Sequence, residues 1–172
     1  MYLVSLYFDD KSHNKIQKLI NKAAVEGNSF MIDGKVPPHI TISAFQSNKE
    51  ELIIEKLNKK MENIKSGNIM WASIGVFKSS VVFLAPVLNE YLHNLCVDIN
   101  ESISSIDDVL INKYYLPFKW MPHTTIAKKL NKEQVIPVFQ KVEKSFNMFN
   151  GKAVRIALSK TNPHEDVKVW KI

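Results

Sequence analysis

The chain has 172 residues, 45% of them apolar and 23% charged, which suits one globular domain with its own core and excludes collagen, coiled-coil and disordered architectures. The net charge is +6, yet 22 of the 23 basic residues are lysines and Arg155 is the single arginine. The guanidinium forks with which nucleic-acid readers make bidentate contacts are therefore nearly missing, and basicity alone does not define a partner.

Residues 2–8 alternate along the chain and are rich in β-formers, which predicts a largely buried strand. Ile16, Leu19, Ile20 and Ala23 follow at helical spacing behind Ser12, a suitable N-cap. A polar, glycine-containing stretch from Glu26 to Pro38 leads to residues 39–45, a short β-branched run behind Pro37-Pro38 that reads as a strand. Ser47 with Glu50 three residues on has the pattern of a capping box, and Ile53, Ile54, Leu57, Met61 and Ile64 give a helical face that stops near Gly67. Residues 69–77 complete the first half as a strand.

Lys78-Ser79-Ser80 turns the chain into a buried strand at 81–85. Leu88, Leu92, Leu95, Ile99 and Ile103 then mark a helix of about four turns. Cys96, the one cysteine, lies on its apolar side and reads as a small buried residue; a lone cysteine allows no intramolecular disulfide and fits a reducing compartment. A loop over 104–121 precedes a strand at 123–127. Asn131 and Gln134 offer another cap for a helical segment reaching about Phe146, in which Pro137 either makes a kink or marks the first turn. Strands at 153–159 and 167–170, separated by Asn162-Pro163, close the chain.

Both halves read strand, helix, His-bearing strand, helix, strand. This duplicated layout predicts an α+β fold of two pseudo-symmetric lobes, each a mainly antiparallel sheet with helices outside, facing one another across a central cleft. No Pro/Gly/Ser-rich linker divides them, so residues 1–172 are expected to form a single two-lobed domain.

The chemistry lies in the third element of each half. Pro38-His39-Ile40-Thr41-Ile42 and Pro122-His123-Thr124-Thr125-Ile126 match in four of five places. Side chains alternate along a strand, so His39, Thr41 and Ser43 are expected on one face, and His123, Thr125 and Ala127 on one face of the second copy. If a pseudo-twofold axis relates the lobes, the two His faces meet in the cleft. Two imidazoles there suit phosphoryl transfer at a ribose: one takes a proton from the attacking oxygen and the other gives one to the leaving oxygen. The hydroxyls can donate to non-bridging phosphate oxygens and hold the phosphorus in line. No metal is needed by this scheme, and one cysteine with no local His/Asp/Glu pattern at ligand spacing gives no dedicated metal or cofactor site.

At these residues the sequence resembles the 2H phosphoesterase superfamily, which includes 2'-5' RNA ligase-like proteins, RNA 2',3'-cyclic phosphodiesterases and 2',5'-oligoadenylate phosphodiesterases. Its signature is two His-Xaa-Thr/Ser-Xaa motifs, one per lobe. The resemblance implies that His39 and His123 are the catalytic pair, that Thr41 and Thr125 bind the substrate phosphate, and that Ser43 can add a third hydroxyl. It implies a hydrolase acting on a 2',3'-cyclic phosphate or a 2',5'-phosphodiester of RNA or a small nucleotide. A non-catalytic RNA- or nucleotide-binding module and a 2'-5' RNA ligase remain as alternatives. Ligase-like members often place a small residue and then an arginine after the second motif; here Ala127 fits, and Lys128 keeps the charge without the bidentate fork.

Around this centre, Phe118 and Trp120 either stack on a base at the cleft mouth or pack inward, and Phe45 has the same two readings. Lys119, Lys128 and Lys129 either draw in a polyanion or are simply solvated. His13, His93 and His164 lack a threonine two residues on and read as surface or helix residues. The apolar N-terminus has no basic flank and is cut off by Asp9-Asp10, so no signal peptide or membrane partner is expected, the compartment is expected to be the cytoplasm, and the sequence is compatible with a monomer.

Overall fold

The alternating N-terminal residues form strand β1 (Tyr2–Phe8) of a computed structural model that describes residues 1–24, 28–161 and 163–172. Glu26 and Gly27 of the expected polar stretch, and Asn162 of the expected last turn, lie outside the described residues. Helix α1 (Asp10–Ala23) is capped by Asp9, whose carboxylate accepts from the Ser12 backbone N–H at 2.7 Å, so the cap lies three residues earlier than expected and Ser12 is buried within the first turn. A single helical turn, α2 (Phe30–Asp33), precedes β2 (Ile40–Gln46).

In α3 (Glu50–Met61) the expected capping box does not form. The Ser47 hydroxyl donates to Asp108 at 2.7 Å, and the Glu50 carboxylate is taken by the Tyr2 hydroxyl (2.7 Å) and the Lys160 ammonium (2.6 Å). Strands β3 (Gly67–Phe77) and β4 (Val81–Pro86) make a hairpin through Lys78 and Ser79, both left-handed at φ 46° and 49°. Positive φ at both central positions matches the twist of two paired strands.

Next come α4 (Glu90–Ser104), a two-residue β5 (Leu110–Ile111), a 3-10 turn at Lys113–Tyr115 and β6 (Thr124–Lys128). The Asn131–Gln134 capping box does form and starts α5 (Lys132–Glu143), which runs through Pro137. Strands β7 (Phe149–Lys160) and β8 (Glu165–Lys171) complete the chain.

The fold class is the expected α+β, and among the described residues every strand pairing is antiparallel. The strand order is β5-β2-β1-β7-β3-β4-β6, with β8 on the free side of β7. The two halves exchange their last strands: β3 of the first pairs with β4, and β7 of the second pairs with β1. β7 is the seam. Its residues from Phe149 to Ala153 pair with β3, and from Ala153 to Lys160 it pairs with β1, so one strand belongs to both lobes. The helices are exchanged as well, since α1 packs on α5 and β6 while α4 packs on α3 and β2. Their apolar faces join the sheet in one buried core around Ile16, Leu57, Trp71 and Ile99. Among the described residues no helix is long and apolar enough to cross a membrane.

Candidate active site

His39 and His123 stand one residue before β2 and β6 rather than inside them. Each comes directly after a buried proline, and each Nδ1 lies against the carbonyl two residues back: Pro37 O at 2.7 Å from His39, Met121 O at 2.9 Å from His123. A carbonyl can only accept, so Nδ1 carries the proton in both rings and Nε2 is left free. Both half-buried rings line one cavity of about 380 Å³, with Thr41, Thr125 and Lys128.

Strict alternation fails just after each threonine. In the β1–β2 ladder Val4 faces Ser43 and Ser5 faces Thr41, leaving Ile42 as an extra residue. In the β4–β6 ladder Val82 faces Ala127 and Phe83 faces Thr125, leaving Ile126 as the extra one. A bulge at the same motif position in both lobes re-aims the side chains beyond it. Ser43, expected to bind phosphate, is therefore turned to the helix side, where it is fully buried and donates to Asn100 Oδ1 of α4 at 2.8 Å. Ala44 and its counterpart Lys128 face the cleft instead.

The two histidines have different neighbours. His39 stacks on His164, with ring centroids 6.3 Å apart and planes 19° from parallel. His123 meets Phe77 (5.0 Å, 84°) and Phe83 (5.6 Å, 67°) edge to face. The Phe83 ring itself lies over Gly75, where any side chain would stand inside contact distance of it. Burial lowers the proton affinity of His39, its bond to Pro37 opposes this, and the charges of His164, His123 and Lys128 add to the lowering, bringing it from 6.5 to about 4. Burial also lowers that of His123, against its bond to Met121 and with help from Lys128.

Trp120, one of the two aromatic candidates before the second motif, is buried, and its Nε1 donates to Thr41 O at 3.0 Å, tying the second-motif approach to the first motif strand. Phe118 is 90% exposed, at φ 63°, against His93, and is not among the residues lining the cleft. Phe45 is buried against Tyr2. Lys119 is exposed, and Lys129 lies over the Phe30 ring at 4.3 Å. Arg155 faces Tyr7 across the β1–β7 ladder, outside the cleft lining.

His164 is in neither of the places its sequence context suggests, the open surface or a helix. It lines the cleft beside His39 and is held by Asp166 and Tyr7. The one local signal was His164 two residues before Asp166 at the start of a strand, too common a pattern to stand out. Phe77 and Phe83 carry no mark in the sequence beyond their places in two strands.

A family model described as the 2'-5' RNA ligase superfamily matches residues 8–165. Among solved structures the chain is similar to apo E. coli LigT (TM-score 0.62, 14% identity, 99% of this chain and 95% of that one). It is similar to E. coli LigT complexed with 3'-AMP (0.61, 12%, 99% and 96%). A protein described as a phosphoesterase gives a TM-score of 0.59 at 12% identity over 99% of this chain and 97% of that one. No curated protein matches the sequence.

Proposed function

The chain belongs to the 2'-5' RNA ligase superfamily, within the 2H phosphoesterases, and on that premise we propose that it hydrolyses a 2',3'-cyclic phosphate or a 2',5'-phosphodiester of RNA or a nucleotide without a metal. The observation that carries this reading is the pair of histidines whose Nδ1 atoms are both committed to carbonyls, which leaves both Nε2 atoms for one cleft.

In the reaction, water attacks phosphorus opposite the departing ribose oxygen. His39 Nε2 takes the water proton, the new P–O bond forms and the ribose P–O bond breaks. His123, protonated at Nε2, delivers its proton to the leaving oxygen. From a cyclic phosphate the product is a 2'- or 3'-monophosphate. The stronger lowering at His39 suits it to the base, and the anionic substrate favours the protonated form of His123 once bound. The Thr41 and Thr125 hydroxyls donate to non-bridging oxygens, and Lys128 adds a point charge. Ligation uses the same two proton transfers with a ribose hydroxyl in place of water.

The test is turnover of 2',3'-cyclic mononucleotides, cyclic-phosphate-ended RNA and 2',5'-linked dinucleotides. His39→Ala and His123→Ala should each lower kcat by at least about 100-fold with the fold intact, and EDTA should leave turnover unchanged. Full activity in either variant overturns the two-histidine mechanism. Saturable nucleotide binding with no product from any substrate would favour the binding module.

A further inference from the structure

His164 is fixed by a set of contacts that the two-histidine scheme does not use. Asp166 Oδ1 accepts from the Tyr7 hydroxyl at 2.6 Å and from the Ser159 hydroxyl at 2.7 Å. Burial works against ionisation of Asp166, but the bonds from His164, Tyr7 and Ser159 outweigh it and hold the carboxyl down to about 2, so it is a fixed anion. The single Tyr7 proton is spent on that carboxylate, so the Tyr7 oxygen can only accept from His164 Nε2, 3.3 Å away. Asp166 also only accepts, with Oδ1 at 3.5 Å from the same nitrogen.

His164 Nε2 is therefore the protonated atom and Nδ1 the free one, the reverse of His39 and His123. Nδ1 has no hydrogen-bond partner among the described residues. The ring lines the cleft with the Asp166 carboxylate against its Nε2, an arrangement that suits it to an anionic ligand. Imidazole hydrogen bonds lie in the ring plane, and His164 stacks on His39. The ring centroids are 6.3 Å apart, a separation that lets the two rings address neighbouring groups of one ligand. The cavity of about 380 Å³ has room for a nucleotide that carries more than one phosphate.

We propose that His164, oriented by Asp166 and Tyr7, forms a second anion-binding subsite that takes a phosphate group of the substrate other than the reacting one. This deepens the proposed function and rests on it for the position of the reacting phosphate. The substrate class it selects is a nucleotide with a second phosphate group over a cyclic mononucleotide, and a 5'-phosphate is the probe for it.

The experiment is calorimetric titration with 2'-AMP and 3'-AMP and with the same nucleotides phosphorylated at the 5' position. The wild-type protein should bind the bisphosphates about tenfold more tightly, the worth of one charge-assisted hydrogen bond. In His164→Gln the ratio of the two dissociation constants should fall to about one. Asp166→Asn, checked for an unchanged circular dichroism spectrum, should reduce it as well. A wild-type ratio near one overturns the subsite, as does a ratio that survives in His164→Gln, including the case in which both nucleotides weaken equally. Turnover is read separately: preference without turnover sinks the phosphoesterase reading and keeps the subsite, whereas turnover without preference does the reverse.

Discussion

Acid/base balance in the cleft is set first by the burial of the two rings and then by the charges close to them. His39 is held to about 4 and His123 below its ordinary value, so in the proposed mechanism the unprotonated base is available above about pH 4 while the protonated acid is lost as pH rises toward the ordinary imidazole range near ~6.5. The pH profile of kcat/KM is therefore expected to be a bell centred on the acid side of neutrality, reporting the pair's joint titration. Lys128 lowers both rings, so Lys128→Met should move both limbs to higher pH; a profile with unmoved limbs would remove Lys128 from the electrostatics of the site. Ser43 gives the opposite kind of prediction. Its hydroxyl is bonded to Asn100 in the core, so Ser43→Ala should cost about 1–3 kcal/mol in denaturant unfolding by leaving a buried acceptor unpaired, with kcat/KM unchanged. A selective loss of kcat/KM in a stable Ser43→Ala protein would return this serine to the site.

Among the elements, the two motif strands work because each carries a bulge at the isoleucine after its threonine. Without it, Lys128 would point at the helices and Ala127 at the cleft. The wall behind His123 depends on the β3–β4 pair, where Phe83 crosses over Gly75 and touches the histidine. Gly75→Ala should displace that ring, lowering both thermal stability and kcat; unchanged kcat would mean that Phe83 does not position His123. Pro137 stands inside the continuous α5, at a position where another residue would give the helix its N–H. Pro137→Ala should raise Tm, since an interior proline costs up to ~3 kcal/mol in a helix. The expected caps at Ser12 and Ser47 were displaced for one reason: Asp9 and Asp108 are carboxylates within reach, and Asp108 comes from a segment about sixty residues away that no local pattern announces.

For the whole molecule, the charge of +6 is mostly remote from the cleft, because Lys128 is the one lysine among the described residues that line it. Affinity for a nucleotide monophosphate should therefore depend weakly on salt, with a log–log slope of about −1 that flattens in Lys128→Met, and a slope several times steeper would bring the distant lysines into binding. The exchange of β3 and β7 between the halves makes the lobes share one sheet, which fixes the spacing of the two motifs through β7 instead of through a linker. The amino-acid sequence by itself determined the element order, the α+β class and the paired His-Xaa-Thr motifs, because apolar periodicity and a repeated pentapeptide are local in the chain. Only the tertiary structure decided which side chains share the cleft. A one-residue bulge reverses the facing of everything after it, and His164 and Asp166 from one end of the chain meet Tyr7 and His39 from the other through the β7–β8 and β1–β7 ladders. Those pairings depend on sheet register, which single-strand patterns do not contain.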